Sequence, residues 1–275
     1  MNPDEQKILE ILRESRGVDF SGYRSSMIER RISRKIAASG FTNSKEYFEY
    51  LTDHPEEIDR LLNALTINVS RFFRETLTFE YLGDKVLPPI LIEKSKDPDA
   101  SLRIWSAGCA SGEEAYSVAI LLLELLKKEN SRLSVQLFAT DIDKDCLSQA
   151  QKGFYRKDRL KGIKYGLIEK YFIHRGEWFE LTPEIRNMVS FSVFNLLDSQ
   201  SLVPPESVYG DFDLILCRNV LIFFNLEIQD QVFQRLYRSL IKGGILVLGE
   251  AETPSVKFKH YFHQMNECCH IYRKV

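Results

Sequence analysis

Residues 102–114 read LRIWSAGCASGEE: a short apolar run, a turn with two glycines and an acidic helix start. The run LRIWSA has the character of a parallel strand covered on both faces. Gly108 and Gly112 permit a tight turn and a close ligand approach that a Cβ would obstruct. AYSVAILLLELL then continues as a strongly apolar helix. Strand, glycine turn and acidic helix start together are how an open α/β sheet offers its backbone to a nucleotide-like ligand. The glycines do not follow G-x-G-x-x-G, so the turn alone also suits a purely structural strand-turn-helix.

A second unit, VQLFATDID, follows about one βα repeat later, its strand ending in Thr140 and Asp141. An acid at the tip of the second strand sits where a ribose presents its hydroxyls. A carboxylate accepts from both hydroxyls of a vicinal diol, which makes Asp141 a candidate ribose ligand. Asp141 or Asp143 also suits a cap on the helix beginning near Lys144. A third strand, DLILC at 213–217, runs into Arg218, Asn219 and Val220. A fourth, GILVLG, follows a helix over 229–240 and a break at Gly243 and Gly244.

The 275 residues suffice for one large core and a small domain, and 44% hydrophobic content is ordinary for a soluble globular protein. The charged start MNPDEQKILE lacks the apolar core of a signal peptide, and no apolar run approaches a bilayer span. A cytoplasmic, non-inserted protein is the resulting expectation. Cys109, Cys146, Cys217, Cys268 and Cys269 are odd in number and lack zinc-ligand spacing, so they read as reduced thiols with no metal site. A net charge of −2 gives no global pull toward nucleic acid. The charge is uneven, however: in SSMIERRISRKIAASG, Arg30, Arg31, Arg34 and Lys35 recur at helical spacing beside Met27, Ile28, Ile32 and Ile36. That face is either a solvated helix surface or a docking surface for an acidic partner.

Residues 1–80 read as an N-terminal helical domain, punctuated at Gly17, Gly40 and Pro55. Residues 81–275 form the sheet domain, entered through turns at Pro88-Pro89 and KSKDPDA. Within it, short aromatic and β-branched runs over about 168–194 predict a small antiparallel β excursion.

These features, with TINVSRFFRE at 66–75 and CRNVLIFF at 217–224, resemble the CheR family of chemotaxis receptor methyltransferases over nearly the whole chain. The resemblance implies a Rossmann-like class I methyltransferase sheet beside an N-terminal helical domain. It also implies an S-adenosylmethionine-dependent enzyme that methylates glutamates on bacterial chemoreceptors, giving methyl esters and S-adenosylhomocysteine. In TINVSRFFRE, Asn68, Ser70 and Arg74 match cofactor and active-site positions, Ser70 standing where threonine is commoner. Arg74 is the catalytic candidate, able to hold the incoming carboxylate, while Phe72 and Phe73 anchor the segment. Glu114 matches the acid that binds the cofactor's cationic amino-acid portion. Asn195 and Leu196 match positions beside the adenine, and Cys217 and Arg218 match positions near the cofactor and reaction centre.

Two departures stand out. Phe223 replaces a common tyrosine, and Gly249-Glu250-Ala251-Glu252 replaces the common G-H-S-E. The family's acidic receptor methylation helices make Arg30, Arg31, Arg34 and Lys35 a candidate partner surface. A monomer is expected, and the short HRGEWFEL hairpin suggests little use of a receptor C-terminal pentapeptide. An NAD-dependent dehydrogenase and a non-catalytic cofactor-binding adaptor are the alternatives. The first lacks its glycine fingerprint, and the second sits poorly with retention of Arg74, Glu114 and Asp141. CRNV after the third recognised strand, in place of an Asn or Asp before Pro-Pro-aromatic, argues against nucleic-acid amino methylation.

Overall fold

A strand buried on both faces needs no polar alternation, and the apolar runs at 102–107 and 213–217 form such strands. A computed structural model describes residues 1–66, 69–198 and 200–275. The chain divides into two compact units, Met1–Asn68 with Ile222–Gln229, and Val69–Leu221 with Asp230–Val275. Residues 69–80 thus fold with the sheet domain rather than with the helices, because Phe72 and Phe79 are buried in its core.

The first unit contains α1 (Pro3–Arg16), α2 (Ser25–Ala38), α3 (Ser44–Asp53) and α4 (Pro55–Leu65). Asn2 and Glu5 form a reciprocal capping box at the start of α1, and Gly17 closes it in the left-handed conformation. Asn43 caps α3, and Pro55 occupies the first turn of α4. Each helix buries one stripe, Ile28, Ile32 and Ile36 in α2 and Ile58, Leu61 and Leu65 in α4. The returning segment 222–229 is tied to this unit by Arg24 N–H donating to Phe223 O at 2.9 Å and Asn225 N–H donating to Gly22 O at 3.0 Å.

The second unit begins with α5 (Thr76–Tyr81), which passes through a π-helical turn, Leu82–Val86, into α6 (Leu87–Lys94). Pro88 and Pro89 therefore lie in a helix's first turn, not in the expected connecting turns; their missing N–H groups are tolerated there. The order continues with β1 (Ser101–Ala107), α7 (Glu113–Lys128), β2 (Ser134–Asp141), α8 (Lys144–Lys152), β3 (Phe154–Arg156), α9 (Tyr165–Tyr171), β4 (Phe172–Arg175) and β5 (Trp178–Leu181). It closes with α10 (Pro183–Arg186), β6 (Val189–Val193), β7 (Phe212–Cys217), α11 (Leu226–Ser239), β8 (Leu240–Leu248), β9 (Phe262–Gln264) and β10 (Ile271–Lys274).

Seven strands form one sheet in the order β6-β2-β1-β7-β8-β10-β9, and β10 runs antiparallel to both of its neighbours. The connections run outward from β1 in one direction and from β7 in the other. The topological switch point therefore lies between β1 and β7, and ligands bind at the carboxyl ends there. β3, β5 and β4 form the separate antiparallel sheet. This excursion starts at Phe154, earlier than the expected 168, and Val189–Val193 belongs to the main sheet as its edge strand. The last helix also ends one residue sooner than expected, and β8 begins at Leu240 and runs through Gly243 and Gly244, where a break leading into GILVLG was expected.

Candidate active site

The switch point is built from the turn after β1. Gly108 N–H and Cys109 N–H both donate to Thr140 O at the end of β2, at 2.8 and 2.9 Å. Gly108, Ala110 and Gly112 all have positive φ. A Cβ on Gly108 would lie 2.4 Å from Val220 Cγ2, and one on Gly112 would lie 2.8 Å from Ala150 Cβ. Both glycines are thus demanded by close protein packing as well as by the turn. Of the six non-glycine residues with positive φ among the described residues, Phe73, Glu75, Ala110 and Asn219 cluster in the segments that meet here. Such strain persists only where surrounding contacts over-determine it.

Asp141 braces this turn. Its Oδ2 accepts Ala110 N–H at 2.8 Å and its Oδ1 accepts Asp143 N–H at 3.0 Å. Burial raises its carboxyl above the ordinary value, against the lowering effect of those backbone donors. Asp143 is the helix cap, its Oδ1 accepting Asp145 and Cys146 N–H. The two neighbouring acids therefore have separate tasks. Phe194 N–H donates to Asp141 O at 3.0 Å, which sets the segment after β6 beside it. In that segment Asn195 Oδ1 accepts Leu197 N–H at 2.9 Å, and Leu196 is buried.

Glu114, in the first turn of α7, accepts Ser106 Oγ–H at 2.8 Å and Arg218 Nη1–H at 3.0 Å. Arg218, just past β7, has a side chain only 1% exposed. Its Nη2 donates to Glu75 Oε2 at 2.8 Å and to Arg74 O at 2.7 Å, and the guanidinium lies 5.2 Å from the Phe79 ring centroid. Burial opposes its charge, but Glu114 and Glu75 outweigh burial and hold the group above its usual value. Its Nε is buried with no hydrogen-bond partner among the described residues. Cys217 is wholly buried, and burial, with Glu252 and Glu114 adding to it, pushes its thiol well up; it is no thiolate nucleophile.

The segment 69–75 crosses beside this network. Phe72 packs edge-on against Tyr155 and Phe172, and Phe73 N–H donates to Ser117 Oγ at 2.9 Å. Ser70 O accepts Arg159 Nη1–H at 2.9 Å, and the same nitrogen lies 3.4 Å from the fully buried Glu113. Arg74 keeps a third of its side chain exposed, with Nη1 3.3 Å from Val69 O and Nε 3.9 Å from Glu75 Oε1. Asn68 lies outside the described residues.

Sequence reasoning missed Glu75, Arg159, Glu113's buried pairing and Glu252. Glu252 Oε2 accepts Asn219 and Gly249 N–H, both at 2.8 Å, and Oε1 accepts Leu221 N–H at 2.7 Å. It locks the loop after β7 to the end of β8. Its signal was the retained last residue of the G-E-A-E stretch, whose Glu250 is exposed.

The basic set on α2 divides. Arg30 and Arg34 are exposed. Arg31 Nη1 instead donates to Ala64, Leu65 and Thr66 O, capping the end of α4, and Lys35 Nζ lies 2.6 Å from the buried Glu57 carboxylate. Arg31 and Lys35 are thus engaged within the helical unit, and Arg30 and Arg34 are the exposed members of the four. Among the described residues no group of three His, Cys, Asp or Glu could hold a metal ion, and no helix is long and apolar enough to cross a membrane.

A seven-stranded sheet of this order, with one reversed strand inserted near its edge, glycine turn and acid-tipped second strand defines a class I S-adenosylmethionine-dependent methyltransferase fold. The chain matches the family models described as "CheR methyltransferase, SAM binding domain" over residues 68–270 and "CheR methyltransferase, all-alpha domain" over residues 3–66. It belongs to the CheR methyltransferase family. A chemotaxis protein methyltransferase of Salmonella typhimurium is 33% identical, covering 90% of this chain and 83% of its own. One from Borreliella burgdorferi is 31% identical, covering 90% and 87%. An uncharacterized 104.1 kDa protein of Rhodobacter capsulatus is 32% identical over 90% of this chain, which spans only 25% of that relative's length.

Proposed function

We propose that this methyltransferase transfers the methyl group of S-adenosylmethionine to glutamate side chains on bacterial chemoreceptors, giving glutamyl methyl esters and S-adenosylhomocysteine. The observation that carries the reading is the pair of hydrogen-bonded groups at the switch point: Asp141 on the turn at Ala110, and Glu114, Arg218 and the Arg74 backbone joined in one network. The donor set suits the cofactor. Asp141 offers a carboxylate to a ribose diol, Glu114 an acid to a cationic amino group, and Arg218 Nε a buried N–H in need of an acceptor. Asn68, Ser70, Arg74, Asn195, Leu196 and Cys217 complete the proposed contacts. When bound, S-adenosylmethionine supplies an electrophilic methyl group on a sulfonium.

Arg74 would hold the incoming glutamate carboxylate in line, using the exposed part of its guanidinium. That carboxylate is already ionised at neutral pH, so no residue need remove a proton. Asp141 and the turn would fix the cofactor's orientation, and burial of Cys217 and Leu196 would keep water from that side. Arg30 and Arg34 would meet the acidic methylation helices. The two-residue hairpin turn at Gly176-Glu177 leaves little to grip a receptor tail. A cytoplasmic monomer composed of an N-terminal helical domain and a methyltransferase domain completes the proposal.

The test incubates the protein with radiolabelled cofactor and membranes bearing receptors from its own source. Incorporated label released by base is the expected result, as a methyl ester requires. Base-stable label, or none, would overturn the glutamate assignment.

A further inference from the structure

We propose that Glu75 is a positioning residue of the methyl-transfer site, setting Arg74 through the buried guanidinium of Arg218; the inference rests on the function proposed above. Glu75 is an unexpected residue at its place. Its φ is +61°, a left-handed conformation that suits glycine or asparagine better than glutamate. Its side chain is only 9% exposed, so a carboxylate is also taken from water. Both penalties fall on one residue, and the chain direction alone would be served by a glycine.

What the glutamate adds is a grip on two arginines. Oε2 lies 2.8 Å from Arg218 Nη2, and Oε1 faces Arg74 Nε at 3.9 Å. The same Arg218 nitrogen donates to the Arg74 carbonyl at 2.7 Å, while Nη1 holds Glu114 at 3.0 Å. One buried guanidinium thus fixes the backbone of residue 74, the carboxylate of residue 75 and the acid on α7 together. Arg74 is flanked by left-handed Phe73 and Glu75, and Phe73 is pinned to Ser117 Oγ. Among the described residues the Arg74 side chain has only the weak contacts to Val69 O and Glu75, and the backbone clamp fixes the residue that carries it. Two carboxylates on the Arg218 guanidinium leave one negative charge, which the Arg74 guanidinium beside Glu75 balances. Glu75→Gln keeps the shape and the backbone strain but removes that charge, and Arg218 then pairs with Glu114 alone.

A double-mutant cycle with Arg74→Ala and Glu75→Gln tests this, read once on cofactor affinity by calorimetry and once on kcat and KM for receptor methylation. Glu75→Gln alone is expected to lower kcat about tenfold with little change in receptor KM, the size of coupling found between residues sharing one network. In the Arg74→Ala background the same change should add less than about twofold, because the residue through which it acts is gone. Effects that multiply across the cycle, or a kcat unchanged by Glu75→Gln, would overturn the proposal. Should Glu75→Gln not fold, Glu75→Asp takes its place. It keeps the charge and suits left-handed φ but sets the carboxylate back by one methylene, and the same non-additive pattern is expected. A wild type that binds cofactor yet methylates no receptor overturns only the functional reading; the calorimetric cycle, expected to be non-additive, then decides Glu75.

Discussion

Replacing Glu252 by glutamine changes one atom of a buried group and should destabilise the loop that carries Arg218 into the site. The carboxylate accepts three backbone N–H groups, two on Oε2 and one on Oε1, between 2.7 and 2.8 Å. Glutamine retains one acceptor oxygen. Its better orientation places that oxygen at Oε2, which leaves its NH2 facing Leu221 N–H, donor against donor. Hydrogen bonds to a charged partner are worth about 1.5–3 kcal/mol each, and an unsatisfied buried donor costs about 1–3 kcal/mol. Loss of charge at two bonds and loss of the third together predict roughly 2–4 kcal/mol. Alanine, which abandons all three donors, should cost more. The chain has two units, so a single global melting curve is a blunt measure. Amide hydrogen exchange is sharper: Asn219, Leu221 and Gly249 should exchange at least about tenfold faster in Glu252→Gln, each tenfold step corresponding to about 1.4 kcal/mol of local opening. Protection at these amides equal to wild type would refute the claim that Glu252 holds the strained Asn219.

Asp141→Asn is expected to weaken cofactor binding by about 1.5–3 kcal/mol, roughly ten- to a hundredfold, and unchanged calorimetric affinity in the folded variant would remove Asp141 from the ribose role. The folded Asp141 pKa is raised by burial, so the residue contributes stability below its unfolded value and loses it as pH rises through the folded value. Asp141→Asn removes this titration but sets an amide NH2 against one of the two backbone donors that the carboxylate holds, and it should abolish the fall in affinity expected in wild type as pH drops through that raised value. Arg74→Ala should cut receptor methylation far more than it shifts the melting temperature, and near-native turnover would end its catalytic assignment; Phe223→Tyr should be tolerated in the same initial-rate assay. Neutralising Arg30 and Arg34 should weaken receptor methylation and flatten its salt dependence, since exposed charges are screened over about 8–10 Å. Neutralising Arg31 and Lys35 should instead destabilise the helical unit in a denaturant titration, because they cap α4 and pair with buried Glu57.

The division on α2 shows what the sequence held and where it stopped. At 100° per residue, Arg30 and Arg34 lie about 160° from the centre of the Ile28-Ile32-Ile36 stripe, whereas Arg31 and Lys35 lie about 100° and 60° from it. The spacing alone was therefore enough to separate an outward pair from a border pair, and only the partners of the border pair needed three dimensions. The core strands were legible for a similar local reason: burial on both faces leaves a continuous apolar run bounded by a turn. Nothing comparable marks β3. It is three residues long, and its partner strand β5 begins more than twenty residues later, so its pairing is written in no local period.

The site followed the same divide between local and non-local order. Asp141 was visible because it ends a strand, but Asp143 and Asp141 could be told apart only once α8 had a first turn to cap. Arg218 was placed correctly at the end of β7, yet its side chain answers to Glu75 and Glu114, residues more than a hundred positions away. A buried guanidinium is stable only with acids supplied from elsewhere in the chain. Glu75 and Arg218 are thus each half of a feature that neither position reveals alone, and the residues that position a reacting group will be harder to read from sequence than the group itself.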